Sequence, residues 1–250
     1  MASKRGGKGQ PSGKTYGPKQ TNPPIPQTPP VVVIQQQQPP QVVQPPTEER
    51  RRRRDEFETV PENREAEFFG QELTDWEREL NNNTEQFNSL YNYTGTFYKA
   101  ANSYLRKTKK SDYIGYSPTD LKTRIKAIDT ALSKFDLKNN IMVYRGSTNH
   151  LIGGAKTVED VKKIVGSVVR DKGFMSTSTR KSSAFSDDVH YEIKVPKGKG
   201  RGAYVGTVSH FGHEKEFLLN RGTQFKVLGA REGKFGKLIV QLEVVGRKKS

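Results

Sequence analysis

Cysteine is absent from the 250 residues. Disulfides, thiolate zinc sites and thiol nucleophiles are therefore excluded, while the redox compartment stays open. Histidine occurs only four times and tryptophan once. No apolar run reaches the length needed to span a bilayer. The opening residues, Met1-Ala2-Ser3-Lys4-Arg5-Gly6-Gly7, are basic and polar with no apolar stretch behind them, so no secretory signal peptide is read there. Acidic residues are also scarce: 27 Asp and Glu stand against 43 Lys and Arg, a net charge of +16.

That charge is unevenly dense. Residues 1–54 hold ten Lys/Arg and two Asp/Glu, and so carry half of the excess in about a fifth of the chain. They also hold repeated prolines, the run Gln35 to Gln38, and Arg50 to Arg54. Such a composition cannot bury enough apolar surface to offset its ordering entropy. The sequence therefore divides into a disordered Pro/Gln-rich basic tail over 1–60, one domain over 61–246, and a short basic end over 247–250. The tail could attract nucleic acid or another polyanion, or simply be a solvated, self-repelling linker.

Within the domain, helices precede strands. Phe69, Leu73, Trp76 and Leu80 recur at helical spacing before Asn81-Asn82-Asn83. Phe97, Ala101, Tyr104 and Leu105 predict a second helix after Gly95. Ser117-Pro118-Thr119-Asp120 is a helix start, a capping serine followed by proline, leading into Leu121, Ile125, Ile128, Leu132 and Phe135. Residues 157–170 read as a further helix. Strands are predicted at 141–144, 174–178, 189–195, 203–208, 215–219, 224–228 and 237–245. Helices first and strands second argue for an α+β fold.

Three short motifs carry chemistry. Val143-Tyr144-Arg145-Gly146 ends a strand in a guanidinium. Phe174-Met175-Ser176-Thr177-Ser178 ends another in hydroxyls. Glu214-Lys215-Glu216 places two carboxylates ahead of Phe217-Leu218-Leu219. If 214–216 is extended, the carboxylates at i and i+2 share a face. Each motif alone is weak, since arginines at strand ends, Ser/Thr in strands and acidic pairs at edges are ordinary. His210 and His213 beside Glu214 mimic a metal spacing, but Gly212 and the flanking strands argue against the helix such a pair needs. Lys197-Gly198-Lys199-Gly200-Arg201-Gly202 lacks phosphate-loop spacing and reads as a basic hairpin turn.

Taken in order, these motifs resemble the mono-ADP-ribosyltransferases of the Arg/Ser-Thr-Ser/Glu class. The exoenzyme branch that includes binary-toxin enzymatic components and related phage proteins is the nearest. The resemblance runs from Glu62 to Val245 and includes Leu218-Leu219 and Arg221-Gly222-Thr223. It implies a helical layer followed by two packed antiparallel sheets with NAD, as substrate, in the cleft between them. It implies Glu216 as the catalytic carboxylate, Ser176 as its brace and a ribose contact, and Arg145 as a phosphate or ribose contact. Gly146 would lie against the nicotinamide amide, with Thr177 and Ser178 in the cofactor-binding wall. Glu214 would orient an acceptor arginine, because glutamate at this position goes with arginine acceptors. Phe211 would meet the target protein.

The activity so implied is transfer of ADP-ribose from NAD to an arginine of a target protein, without a metal. NAD glycohydrolysis is one alternative. A virion or nucleic-acid-binding protein with a degenerate transferase domain is another. The chain departs from the family pattern where a second phosphate-binding arginine is expected after the Ser-Thr-Ser strand. Ala184-Phe185 is followed there by Ser186-Asp187-Asp188, leaving Arg180 or Lys181 as stand-ins. The expected place of action is the cytoplasm of a bacterial host after phage delivery or expression, with secretion as the other route.

Overall fold

A computed structural model of the chain describes residues 56–183 and 189–248. Of the expected tail over 1–60, residues 1–55 lie outside them. Glu58–Thr59, within the stretch that the sequence assigns to the tail, form a strand, β1, parallel to Ile141 and Met142. At the other end a strand runs to Arg247, and Lys248 N–H donates to the Gly222 carbonyl at 2.9 Å.

Helix α1 spans Glu65–Asn81, and its predicted stripe of Phe69, Leu73, Trp76 and Leu80 is buried. Trp76 Nε1 donates to the Ala131 carbonyl at 2.8 Å, which satisfies the one polar atom of a buried ring. Helix α2, Thr84–Asn92, follows directly, capped by Asn83. α2 buries only Ser89 and Leu90 and so leaves no apolar stripe in the sequence. A single π-turn at Tyr93–Phe97 leads into α3, Tyr98–Arg106. Helix α4, Pro118–Lys134, starts as predicted: the Ser117 hydroxyl accepts from Asp120 N–H at 3.0 Å.

The predicted helix over 157–170 is only one turn, α5 at Val158–Lys162, capped by Thr157 and Asp160. Residues 168–170 form a strand, β4, and Val165 and Val168 are exposed at 48% and 53%. Gly166, with φ of 86°, breaks the helical pattern, and its N–H bonds to the Val227 carbonyl instead.

The remaining strands are β2 (Asp136–Leu137), β3 (Ile141–Ser147), β5 (Met175–Ser178), β6 (Val189–Val195), β7 (Gly198–Lys199) and β8 (Gly202–Tyr204). They are followed by β9 (Glu216–Leu219), β10 (Thr223–Glu232) and β11 (Leu238–Arg247). The expectation of two antiparallel sheets needs correction. The strands form one nine-stranded mixed sheet in the order β4-β10-β11-β6-β3-β5-β9-β8, with β1 on β3, and a separate β2–β7 pair. β11 and β6 run parallel, as do β1 and β3. The sheet nearly divides at its middle. β3 and β5 are joined through Tyr144 and Ser178, whereas β3 pairs β6 along its whole length and β5 pairs β9 along its whole length.

This narrow join positions the site. Past Tyr144, residues Arg145 and Gly146 of β3 have no register partner in β5. Behind β9, Phe217 packs on Phe69 and Phe135, with ring centroids 6.2 and 6.4 Å apart. α1 thereby covers one face of the β5–β9 half. Among the described residues no helix is long and apolar enough to cross a membrane.

Candidate active site

A cleft of about 670 Å³ opens where β3 and β5 part. Arg145, Gly146, Ser176, Phe211, Glu214 and Glu216 all line it. Three motifs separated by up to 71 positions in sequence are thus brought to one cavity by adjacency of β3, β5 and β9.

Glu216 opens β9 and is 5% exposed. Burial drives its carboxyl up to about pH 7; the Ser176 hydroxyl bond and Arg145 oppose that rise, and Glu214 adds to it. Glu214 is not on the same strand. It ends a 3₁₀ turn, Gly212–Glu214, and Lys215 then takes a left-handed φ of 51° before β9 begins. Residues 214–216 are therefore not extended and the two carboxylates do not share a strand face, although both reach the cleft. The difference lets one be buried and the other remain half-exposed.

The Ser-Thr-Ser strand divides its work. Ser176 faces the cleft. Ser178, on the same side of β5, donates to the Glu214 carbonyl at 2.8 Å and accepts from Arg180 N–H at 3.1 Å. It fixes the turn that carries Glu214. Thr177 points to the other face and donates to the Phe217 carbonyl across the ladder. Thr177 and Ser178 are absent from the residues lining the cleft. Arg145 is half-buried; its Nη1 donates to the Ser176 carbonyl at 2.5 Å, and burial lowers its pKa.

Several site residues carried no signal in the sequence reading. Tyr93, in the π-turn, is buried, and its hydroxyl accepts from Asn102 Nδ2 at 2.9 Å. Burial raises its pKa, and the neighbouring Glu216 charge adds to the rise. Asn102 Oδ1 accepts from Phe174 N–H at 2.9 Å, which ties α3 to the start of β5. Arg106, at the end of α3, grips Asp171 with two bonds of 2.8 and 2.7 Å. Gly173 permits this approach, since a Cβ there would lie 2.6 Å from Asn102 Oδ1 and 3.0 Å from the Arg106 guanidinium. A helical register count could have placed Asn102 and Arg106 on one face of α3, four residues apart.

Arg106 and Arg145 also line a second cavity of about 490 Å³, walled by Thr148, Leu151, Asp171 and Tyr191 among others. The two arginines stand where the two cavities meet. Arg180 and Lys181, the expected stand-ins for a second phosphate contact, line neither cavity. Arg180 is held by Glu62 and Glu65, and Lys181 by Glu192.

The loop before Glu214 is moored to the π-turn. The His210 ring lies tilted against Tyr91 with centroids 3.8 Å apart, and the His210 backbone N–H donates to the Thr94 hydroxyl at 3.1 Å. A Cβ on Gly95 would collide with the His210 ring at 2.9 Å. Phe211, next in sequence, is 44% exposed at the cleft mouth. Among the described residues, no three His, Asp or Glu side chains are grouped to hold a metal.

A helical layer and a sheet split at its centre thus bring an arginine, a serine and two glutamates into one cleft. The family model for ADP-ribosyltransferase exoenzymes matches residues 66–247, and the chain belongs to that family. NAD(+)–arginine ADP-ribosyltransferase EFV of Enterococcus faecalis is 34% identical over 184 residues, 67% of this chain and 34% of that protein. The chain thus spans about a third of EFV. Among solved structures, Plx2a, an ADP-ribosyltransferase toxin from Paenibacillus larvae, superposes with a TM-score of 0.63 at 27% identity, covering 76% of this chain and 100% of that one. BECa, the ADP-ribosylating toxin of a Clostridium perfringens binary enterotoxin solved with NADH, has a TM-score of 0.63 at 24% identity, covering 76% and 50%.

Proposed function

We propose that this chain binds NAD across the two adjoining cavities and transfers its ADP-ribose to an arginine of a target protein, releasing nicotinamide. The observation that carries this reading is the pairing of a buried glutamate, Glu216, with a more exposed one, Glu214, in the cleft that Arg106 and Arg145 also line. A dinucleotide has two halves joined by a pyrophosphate. Two cavities with cations at their junction suit that shape.

In this reading Glu216, as carboxylate, faces the nicotinamide ribose. The bond from C1′ to the pyridinium nitrogen breaks, its electron pair leaves with nicotinamide, and positive charge develops on the ribose. Glu216 stabilises that charge. Ser176 holds Glu216 in place by its hydroxyl, and buried Tyr93 braces Ser176. The acceptor guanidinium then forms the new bond to C1′ and gives up one proton, with Glu214 orienting it and taking the proton. Phe211 is the aromatic contact offered to the target. The name of EFV, which specifies arginine as acceptor, supports the arginine assignment.

Incubation with labelled NAD and agmatine, followed by mass spectrometry of the product, tests the proposal. ADP-ribosyl-agmatine is the expected product. Nicotinamide release with no agmatine or protein arginine modified would establish a glycohydrolase instead.

A further inference from the structure

A third cavity, about 530 Å³, lies on the opposite side of α3 from the cleft. Its wall combines two tyrosines, Tyr104 and Tyr113, with four cations: Lys107, Lys122, Lys126 and Arg221. No carboxylate lines it. The tyrosine rings meet edge to face with centroids 5.7 Å apart. Lys122 and Lys126 stand one turn apart on α4, a like-charge spacing that weakens a helix unless an anion offsets it. None of the three lysines has an ion pair among the described residues. Arg221 is only weakly engaged: Nη2 reaches Asp129 at 3.4 Å, and its buried Nε has no hydrogen-bond partner.

From this we propose that the cavity is a second ligand site, distinct from the NAD cleft, that takes a nucleoside phosphate. Its phosphate would lie among Lys107, Lys122, Lys126 and Arg221, and its base against Tyr104 and Tyr113. Arginine and lysine donors suit phosphate oxygens, and aromatic rings accept any base face. The volume falls within the range of small-molecule sites and accommodates a mononucleotide. The same chemistry is offered by a free nucleotide and by the phosphorylated end of a single strand. The wall between this site and the cleft is thin. Arg106 lines the cleft while Leu105 and Lys107, its neighbours, line the cavity, and Ser103 Oγ donates to Asp112 Oδ2 at 2.5 Å across the same segment.

The test is calorimetric titration of AMP, inorganic phosphate, a 5′-phosphorylated trinucleotide and a glutamate-rich peptide onto the full chain. The Glu216→Gln protein saturated with NAD serves as host, so that the cleft is filled. The paired substitution Lys122→Glu/Lys126→Glu, made in the same background, probes the cavity. AMP is expected to bind with one-to-one stoichiometry in the presence of NAD, and the paired substitution is expected to weaken it by about tenfold or more. In the otherwise wild-type protein the same pair should leave NAD turnover without added nucleotide unchanged. The trinucleotide binding more tightly than AMP, with the same dependence on the lysines, would identify a strand end as the source; the reverse order would identify a free nucleotide. The idea is overturned if AMP fails to bind, if phosphate binds as well as AMP, if only the acidic peptide binds, or if AMP affinity is indifferent to the lysines in a folded protein.

Discussion

Arg145 Nη1 donates to the Ser176 carbonyl at 2.5 Å, so the guanidinium of one motif closes the gap that opens where β3 leaves β5. The bond explains why the arginine follows Tyr144 directly. Tyr144 makes the last pairing across the join, and the next residue of β3 supplies a side-chain donor where the ladder has ended. A lysine would deliver one point charge there. The planar fork of arginine can bond Ser176 and still present other N–H groups to the cleft.

Glu216 should act as the essential carboxylate. Glu216→Gln is expected to lower both nicotinamide release and ADP-ribosyl transfer by about 100-fold or more, because an amide cannot offset charge on the ribose. The wild-type kcat/KM for NAD should rise with pH around the group's value of about 7, as the acid ionises. Stability of the ligand-free protein should move the other way. A carboxyl whose folded value lies above its unfolded one binds more protons in the folded state, so stability falls as pH rises from about 4.5 through 7. The loss is of the order of 3 kcal/mol. Thermal melts at pH 5 and pH 8 of both proteins check it: the part of the shift due to Glu216 should vanish in Glu216→Gln.

Arg106 should matter for NAD as much as Arg145 does, since it lines both cavities. Arg106→Ala is expected to weaken NAD binding by roughly 10- to 100-fold, the loss of one charge-assisted contact. Asp171→Asn should cost less, because it loosens the grip on Arg106 while keeping the cation. Titration of NAD onto each variant in the Glu216→Gln background, where NAD is not consumed, measures both. Equal affinity for Arg106→Ala and the parent would place the phosphates elsewhere.

The parts of this site readable in sequence are those carried by short contiguous motifs. Arg145-Gly146, Ser176 and the glutamates announce themselves at strand ends. The stripe of α1 and the cap of α4 were equally legible, because helical periodicity and proline after serine are local signals. What failed was whatever depends on tertiary partners. The 157–170 segment has helical spacing, yet Gly166 stops the helix after one turn and pairing of β4 to β10 makes residues 168–170 a strand. Glu214 was placed on an extended segment because nothing local marks the left-handed Lys215. Tyr93, Asn102 and Arg106 belong to a helical region whose polar residues look like solvent face until Gly173 lets α3 approach β5. The tally of sheets could not be read at all, since one residue pair decides whether there is one sheet or two.

Gly202 should be irreplaceable for stability. It begins β8 with φ of 151°, and a Cβ there would lie 2.3 Å from the Leu218 carbonyl oxygen of β9. Backbone cannot yield as a side-chain tip can, and the left-handed region penalises any L side chain. Gly202→Ala is therefore expected to cost roughly 2–5 kcal/mol. Because β9 carries Glu216, denaturant melts and nicotinamide release should fall together, with the activity recovered at lower temperature. An unchanged melt would mean that β8 can move away from β9 without loss.

The division between the two glutamates is the sharpest test of the arginine reading. Glu214 stands on a turn held by the Ser178 hydroxyl, half-exposed, while Glu216 lies buried beside Ser176. Glu214→Gln should therefore lose arginine modification by about 100-fold while keeping most of the NAD hydrolysis, because water needs less positioning than a guanidinium. The substitution has a second signature. Glu214 pushes the Glu216 carboxyl upward, so its removal should move the pH midpoint of NAD hydrolysis below that of the parent. Free nicotinamide and protein-bound ADP-ribose are followed in one reaction across pH 5–9. Parallel loss of both products would place Glu214 in the NAD machinery and remove its acceptor role. Retained arginine transfer would show that another group orients the guanidinium, with the Phe211 loop the next place to look.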